Sequence, residues 1–157
     1  MQIKLVAMKF VIACALVAGT PAAQAQAPSR LTLDEAMRLI TLAQEEAASQ
    51  GWRLSFAVVD ARGDLIALVR MPGAGPNTPD TAIGKAMVSA IYGQPSAALT
   101  ARATSPVTQA MNEATGGRFR LFQGGLPIVR GGFTVGAIAA SGASAQQDED
   151  AVRAALR

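Results

Sequence analysis

Lys85 is the residue of this chain best equipped for chemistry. The only other lysines are Lys4 and Lys9, and eleven arginines supply the remaining cations. Thr78-Pro79 reads as an N-cap followed by proline at the first helical position, opening a helix that runs to about Tyr92. On that helix Lys85 shares a face with Thr81, Ala82, Ser89 and Tyr92. An amine so placed can hold an anionic ligand or act with a lowered pKa as a Schiff-base nucleophile. It can equally be tied up in a salt bridge to Asp80 or to another element, or snorkel to the surface. Asp80, in the first turn, complements the helix dipole or faces a ligand or a neighbouring subunit. Gly124-Gly125, with Pro127 stiffening the next strand, offers either backbone amides for an anion or a bend between two strands. Arg118, Arg120 and Arg130 surround that bend and could meet carboxylates. Asp60 and Asp64 bracket Arg62 and read as turn residues bonded to their own backbone.

Much other chemistry is excluded. The sequence has no histidine, and its one cysteine, Cys14, lies in an N-terminal segment with the marks of a secretory leader. Lys4 and Lys9 supply positive charge, Phe10–Ala18 are apolar, and Ala23-Gln24-Ala25 fits a signal-peptidase site. Residues 1–25 are therefore expected to be removed, with a lipobox-like reading around Cys14 as the rival. Residues 26–30 would form a short tether and 31–157 a single domain. Without imidazole or thiol there is no Cys/His zinc site, no cysteine nucleophile and no Ser-His triad. No metal site is expected. Loss of the two leader lysines lowers the net charge from +3 to about +1. Neither a nucleic-acid partner nor, once the leader is cleaved, a membrane one is indicated.

The elements that must position these residues are set by local signals. Thr32-Leu33-Asp34-Glu35 is a capping box, and Leu33, Met37, Ile40, Ala43 and Ala47 recur at helical spacing up to Gly51. Leu54–Asp60 and Leu65–Arg70 form a hairpin turning at Gly63. The first run is apolar at nearly every position, so it should be covered on both faces. Three prolines and two glycines make Met71–Pro79 a loop. Gly84, inside the Lys85 helix, costs about 1 kcal/mol against alanine unless something packs closely there. Short helical pieces start at Pro95 and Ser105, and Phe119–Phe122 is a strand candidate. Leu126–Val129 and Phe133–Ala140 make a second hairpin about Arg130-Gly131-Gly132. A second capping box, Ser144 to Gln147, opens a terminal helix whose acidic first turn complements the dipole. The fold class is α+β, one antiparallel sheet with helices packed on its faces. Its core should be closely spaced and rich in alanine.

In order, the segments LTLDEAMRLI, AVVDARGDLIALVRM, PDTAIGKA, GGLPIV, VGAIAASG and QDED resemble the GlcG/HbpS-like family, related to the C-terminal domain of PduO-type proteins. They span nearly all of residues 31–157. The resemblance implies a five-stranded antiparallel sheet flanked by helices in a profilin-like layering. It also implies homo-oligomers, often octamers, and binding of haem or a related tetrapyrrole in some exported members. Carried over by position, the ligand-binding residues are Asp80 and Lys85, with Gly124, Gly125 and Pro127 opposite. Haem iron is commonly held by His, Cys, Met or Tyr. Here that leaves Met71, Met87, Met111 and Tyr92, with Thr, Ser or Lys85 as weaker donors.

The resulting expectation is a periplasmic or secreted, self-associating protein that binds haem or another small tetrapyrrole-like ligand. Two alternatives stay open. One is an enzyme acting on a small acid metabolite through Lys85, oriented by Asp80. The other is a non-catalytic assembly or accessory protein whose glycine-rich hairpin makes a subunit interface.

Overall fold

The structure, a computed structural model, describes residues 30–157. The leader and all of the tether but Arg30 lie outside the described residues. Helix α1 (Leu33–Ser49) opens on the expected capping box: the Thr32 hydroxyl accepts from the Glu35 amide, and the Glu35 carboxylate accepts from the Thr32 amide at 2.9 Å. Gly51, just past its end, is left-handed at φ 74°. Strands β1 (Ser55–Asp60) and β2 (Leu65–Arg70) follow, then helix α2 (Thr78–Tyr92). A 3-10 turn (Ser96–Arg102) and helix α3 (Pro106–Ala114) lead to strands β3 (Gly125–Arg130) and β4 (Phe133–Ser141), and helix α4 (Ala145–Ala155) closes the chain.

The strands form one antiparallel sheet in the order β2-β1-β4-β3. It has four strands among the described residues rather than the expected five. Phe119–Phe122 forms no strand: residues 119–121 have no regular structure and Phe122 lies in a bend. The Phe119 amide donates to the Asn112 side chain at 2.8 Å, and the segment crosses α2 at Gly84 instead of extending a sheet edge. A Cβ on Gly84 would collide with the Arg118 carbonyl oxygen and come within 2.5 Å of Arg120 Cγ. The close approach that offsets a helical glycine is therefore backbone on backbone.

Alternation along β1 divides the core. Phe56 and Val58 point to the face covered by α1 and α4, where they meet Ile40, Ile138, Leu126 and Val152. Ala57 and Val59 point to the other face and meet Ala82, Ala86 and Ala90 of α2 and Ala137 and Ala139 of β4. Both faces are covered, as the apolar run predicts. Alanine on both partners lets α2 lie close to the sheet, and this closeness brings Lys85 within reach of the strand ends. One boundary differs slightly: the N-cap position of α2 is Asn77, not Thr78, and its side chain makes no capping bond. The Thr78 hydroxyl is drawn inward, 2.7 Å from Ser55 Oγ and donating to the Gly75 carbonyl.

Candidate functional site

Lys85 points into the protein. Its side chain is 1% exposed, and Nζ donates to Asp148 Oδ2 at 2.7 Å and to the Ala140 carbonyl at 3.0 Å. The Phe122 ring centre lies 5.1 Å from the same nitrogen, a cation–π contact with a ring that is itself 44% exposed. Asp148, 4% exposed, stands in the first turn of α4, and its Oδ1 accepts the Ala143 amide at 3.0 Å. Burial raises its pKa, an effect that the Lys85 hydrogen bond and charge partly oppose.

The glycine pair shapes this pocket of charge. Gly124 has φ 126°, and a Cβ there would lie 2.6 Å from Lys85 Nζ and 3.0 Å from Asp148 Cβ. At Gly125 a Cβ would lie 2.7 Å from the Lys85 carbonyl oxygen, so α2 rests directly on the start of β3. The Gly125 amide donates to Ser96 Oγ at 2.9 Å, and the Gly124 carbonyl accepts from Ala140. The glycines thus admit the lysine head and the helix backbone. Pro127 lies half-buried in β3, on the edge of the sheet where a missing N–H costs least.

The structure therefore brings Lys85, Gly124 and Gly125 together and adds Asp148, which by sequence is only a dipole partner. Asp80 stays apart. Five helical positions before Lys85 place it on another side of α2, where it is exposed and joins none of the ion pairs of the described residues. The arginines near the bend are also engaged. Arg118 and Arg120 donate to the Thr115, Gly117 and Phe119 carbonyls, and Arg130 pairs with Glu35 at 3.0 Å. Asp60 Oδ1 accepts the Arg62 and Asp64 amides, so that carboxylate serves the turn as expected. An open groove of about 510 Å³ lies beside that turn, between Leu31, Ile66 and Thr134, away from the Lys85 centre.

The four soft or phenolic donors separate clearly. Met87 is buried and Met71 packs against the core. Met111 is 36% exposed, and the Tyr92 hydroxyl donates to its sulfur at 3.6 Å. The Arg102 guanidinium carbon stands 5.5 Å from the centre of the Tyr92 ring, and Phe119 meets that ring edge to face at 6.4 Å. Among the described residues, no cluster of three or more acidic, His or Cys side chains could hold a metal ion. No helix there is long and apolar enough to cross a membrane.

One antiparallel sheet between two helical layers, with a lysine of one layer neutralised by an aspartate of the other, defines an α+β sandwich built around a buried charge pair. The family model described as haem degrading protein HbpS-like matches residues 31–157, and the chain belongs to that HbpS-like family, as its motifs imply. A double mutant of HbpS from Streptomyces reticuli is 30% identical, with a TM-score of 0.71 over 92% of this chain and 96% of that one. The haem complex of PduOC is 25% identical with the same TM-score of 0.71, over 82% of this chain and 94% of that one. Klebsiella pneumoniae protein ORFY, 23% identical with a TM-score of 0.75 over 87% and 95% of the two chains, shares the fold. No curated protein matches the sequence.

Proposed function

We propose that this protein is an exported, self-associating binding protein for haem or a closely related tetrapyrrole, working in the periplasm or outside the cell. The observation that carries the reading is family membership over the whole of residues 31–157, together with the likeness to a PduOC structure that holds haem. The donor chemistry of the chain fits the group. The Tyr92 oxygen and the Met111 sulfur lie side by side near the surface, and both are iron-ligand types. Bound haem would supply an iron centre and a flat apolar face. The protein would supply a donor, apolar cover and arginines for the propionates.

The Lys85 centre supports this binding role through the fold. With Nζ bonded to Asp148 and Ala140 and almost no exposure, the amine holds α2, β4 and α4 in place. Nucleophilic use of Lys85 on an acid metabolite would need the buried amine exposed and the Asp148 bond broken. Hemin titration of the purified protein should give a saturable Soret shift at micromolar concentration, and a flat titration refutes haem binding. Adding peroxide to the loaded protein separates carriage from degradation, because a carrier keeps its Soret absorbance. Intact mass of the exported form should begin at Gln26, and light scattering after size exclusion should show more than one subunit.

A further inference from the structure

We propose that Tyr92 is the iron donor for a bound haem, on a shallow platform formed by the end of α2 and the exposed face of α3. This rests on the haem-binding reading above and gives it a place. Among the described residues the tyrosine hydroxyl is bonded only to a thioether, a weak acceptor, at 3.6 Å. Its ring is held from one side by Phe119 and covered by Arg102, so the hydroxyl has a fixed direction. Val107 and Met111, one helical turn apart on α3, are 69% and 36% exposed and extend an apolar surface beside it. Arg102 joins none of the ion pairs among the described residues, so its charge is available to a propionate.

Of the two neighbouring donors, oxygen suits ferric iron and sulfur suits softer metals. Tyr92 is therefore the ligand and Met111 its flank. On ligation the Oη–H bond breaks, the proton passes to solvent and an Oη–iron bond forms. The hydroxyl's contact with the Met111 sulfur is given up in the same step.

The test compares the wild-type chain with Tyr92→Phe, which keeps the ring and its contacts, and with Arg102→Ala. Hemin and iron-free protoporphyrin are the two probes. Wild-type ferric complex should show a phenolate-to-iron charge-transfer band and phenolate modes in resonance Raman spectra. Tyr92→Phe should lose both and bind hemin at least about tenfold more weakly, since even outer-shell partners of a metal contribute about 10–100-fold. Its affinity for iron-free protoporphyrin should match wild type, which also shows that the variant is folded. Arg102→Ala should weaken both probes without moving the band. A Tyr92→Phe complex with wild-type spectrum and affinity overturns this site while leaving haem binding intact. A wild-type chain that takes up neither probe overturns both.

Discussion

Replacing Lys85 by Met should be among the most damaging single changes in the protein. The substitution keeps the length of the side chain and its apolar stem but removes the charge. Asp148, 4% exposed, would then keep the Ala143 amide at 3.0 Å and lose the ammonium at 2.7 Å. Leaving one member of a buried pair uncompensated costs about 3–5 kcal/mol. Against a domain stability of about 5–15 kcal/mol, that is a large fraction. For a domain of this length it corresponds to a fall in Tm on the order of 10–20 °C. Urea unfolding followed by circular dichroism and by Trp52 fluorescence would measure it. The double variant Lys85→Met with Asp148→Leu replaces both charges by apolar groups and should recover most of the loss. If Lys85→Met stays within about 1 kcal/mol of wild type, or if the double variant is no better than the single, the buried pair is not what locks α2 to α4.

Three further outcomes are expected from the same geometry. Burial holds the Asp148 pKa above its ordinary 3.8, so the folded chain keeps that proton more tightly than the unfolded one. Its contribution favours the fold below that ordinary value and is lost as pH rises through the raised one. The stability advantage of wild type over Asp148→Asn should therefore shrink with rising pH above 3.8 in urea titrations, and growth instead would contradict the assigned direction. Gly84→Ala should destabilise by about 1–3 kcal/mol, although helix propensity alone favours alanine by about 1 kcal/mol; a rise in Tm would show that the Arg118–Arg120 crossing yields easily. Thr32→Ala should cost about 0.5–2 kcal/mol through loss of the α1 cap, read from the urea midpoint.

Local signals account for what was legible in the sequence. Both capping boxes, the Gly63 turn and the two-sided burial of β1 depend on neighbours a few residues apart, and the pattern of types shows them directly. Phe119–Phe122 misled because a short run of large apolar residues is shared by a strand and by an irregular segment packed on the core. Whether such a segment finds a sheet edge is decided by tertiary competition, here won by Asn112 and the notch at Gly84. The Lys85 centre was half legible. A lone lysine on a small-residue helix face, opposite a Gly-Gly bend, marked the place. The identity of its partner depended on where α4 docks, and three acids stand together at the start of that helix. Of the two partners left open for Lys85, Asp80 or an acid on another element, the second is realised, for helical geometry puts Asp80 and Lys85 on different sides of α2.

The Lys85–Asp148 pair joins positions 63 residues apart, and the second of them lies in the last helix of the chain. A chain emerging N-terminus first therefore carries an unneutralised ammonium at the heart of α2 until α4 has arrived. Closing so long a loop is entropically slow. The sheet and α1 can assemble earlier, but α2 cannot settle at low cost before α4 docks. Removing Asp148 with the rest of α4 would then leave the Lys85 ammonium without its partner and the α2 layer loosened, open to proteases.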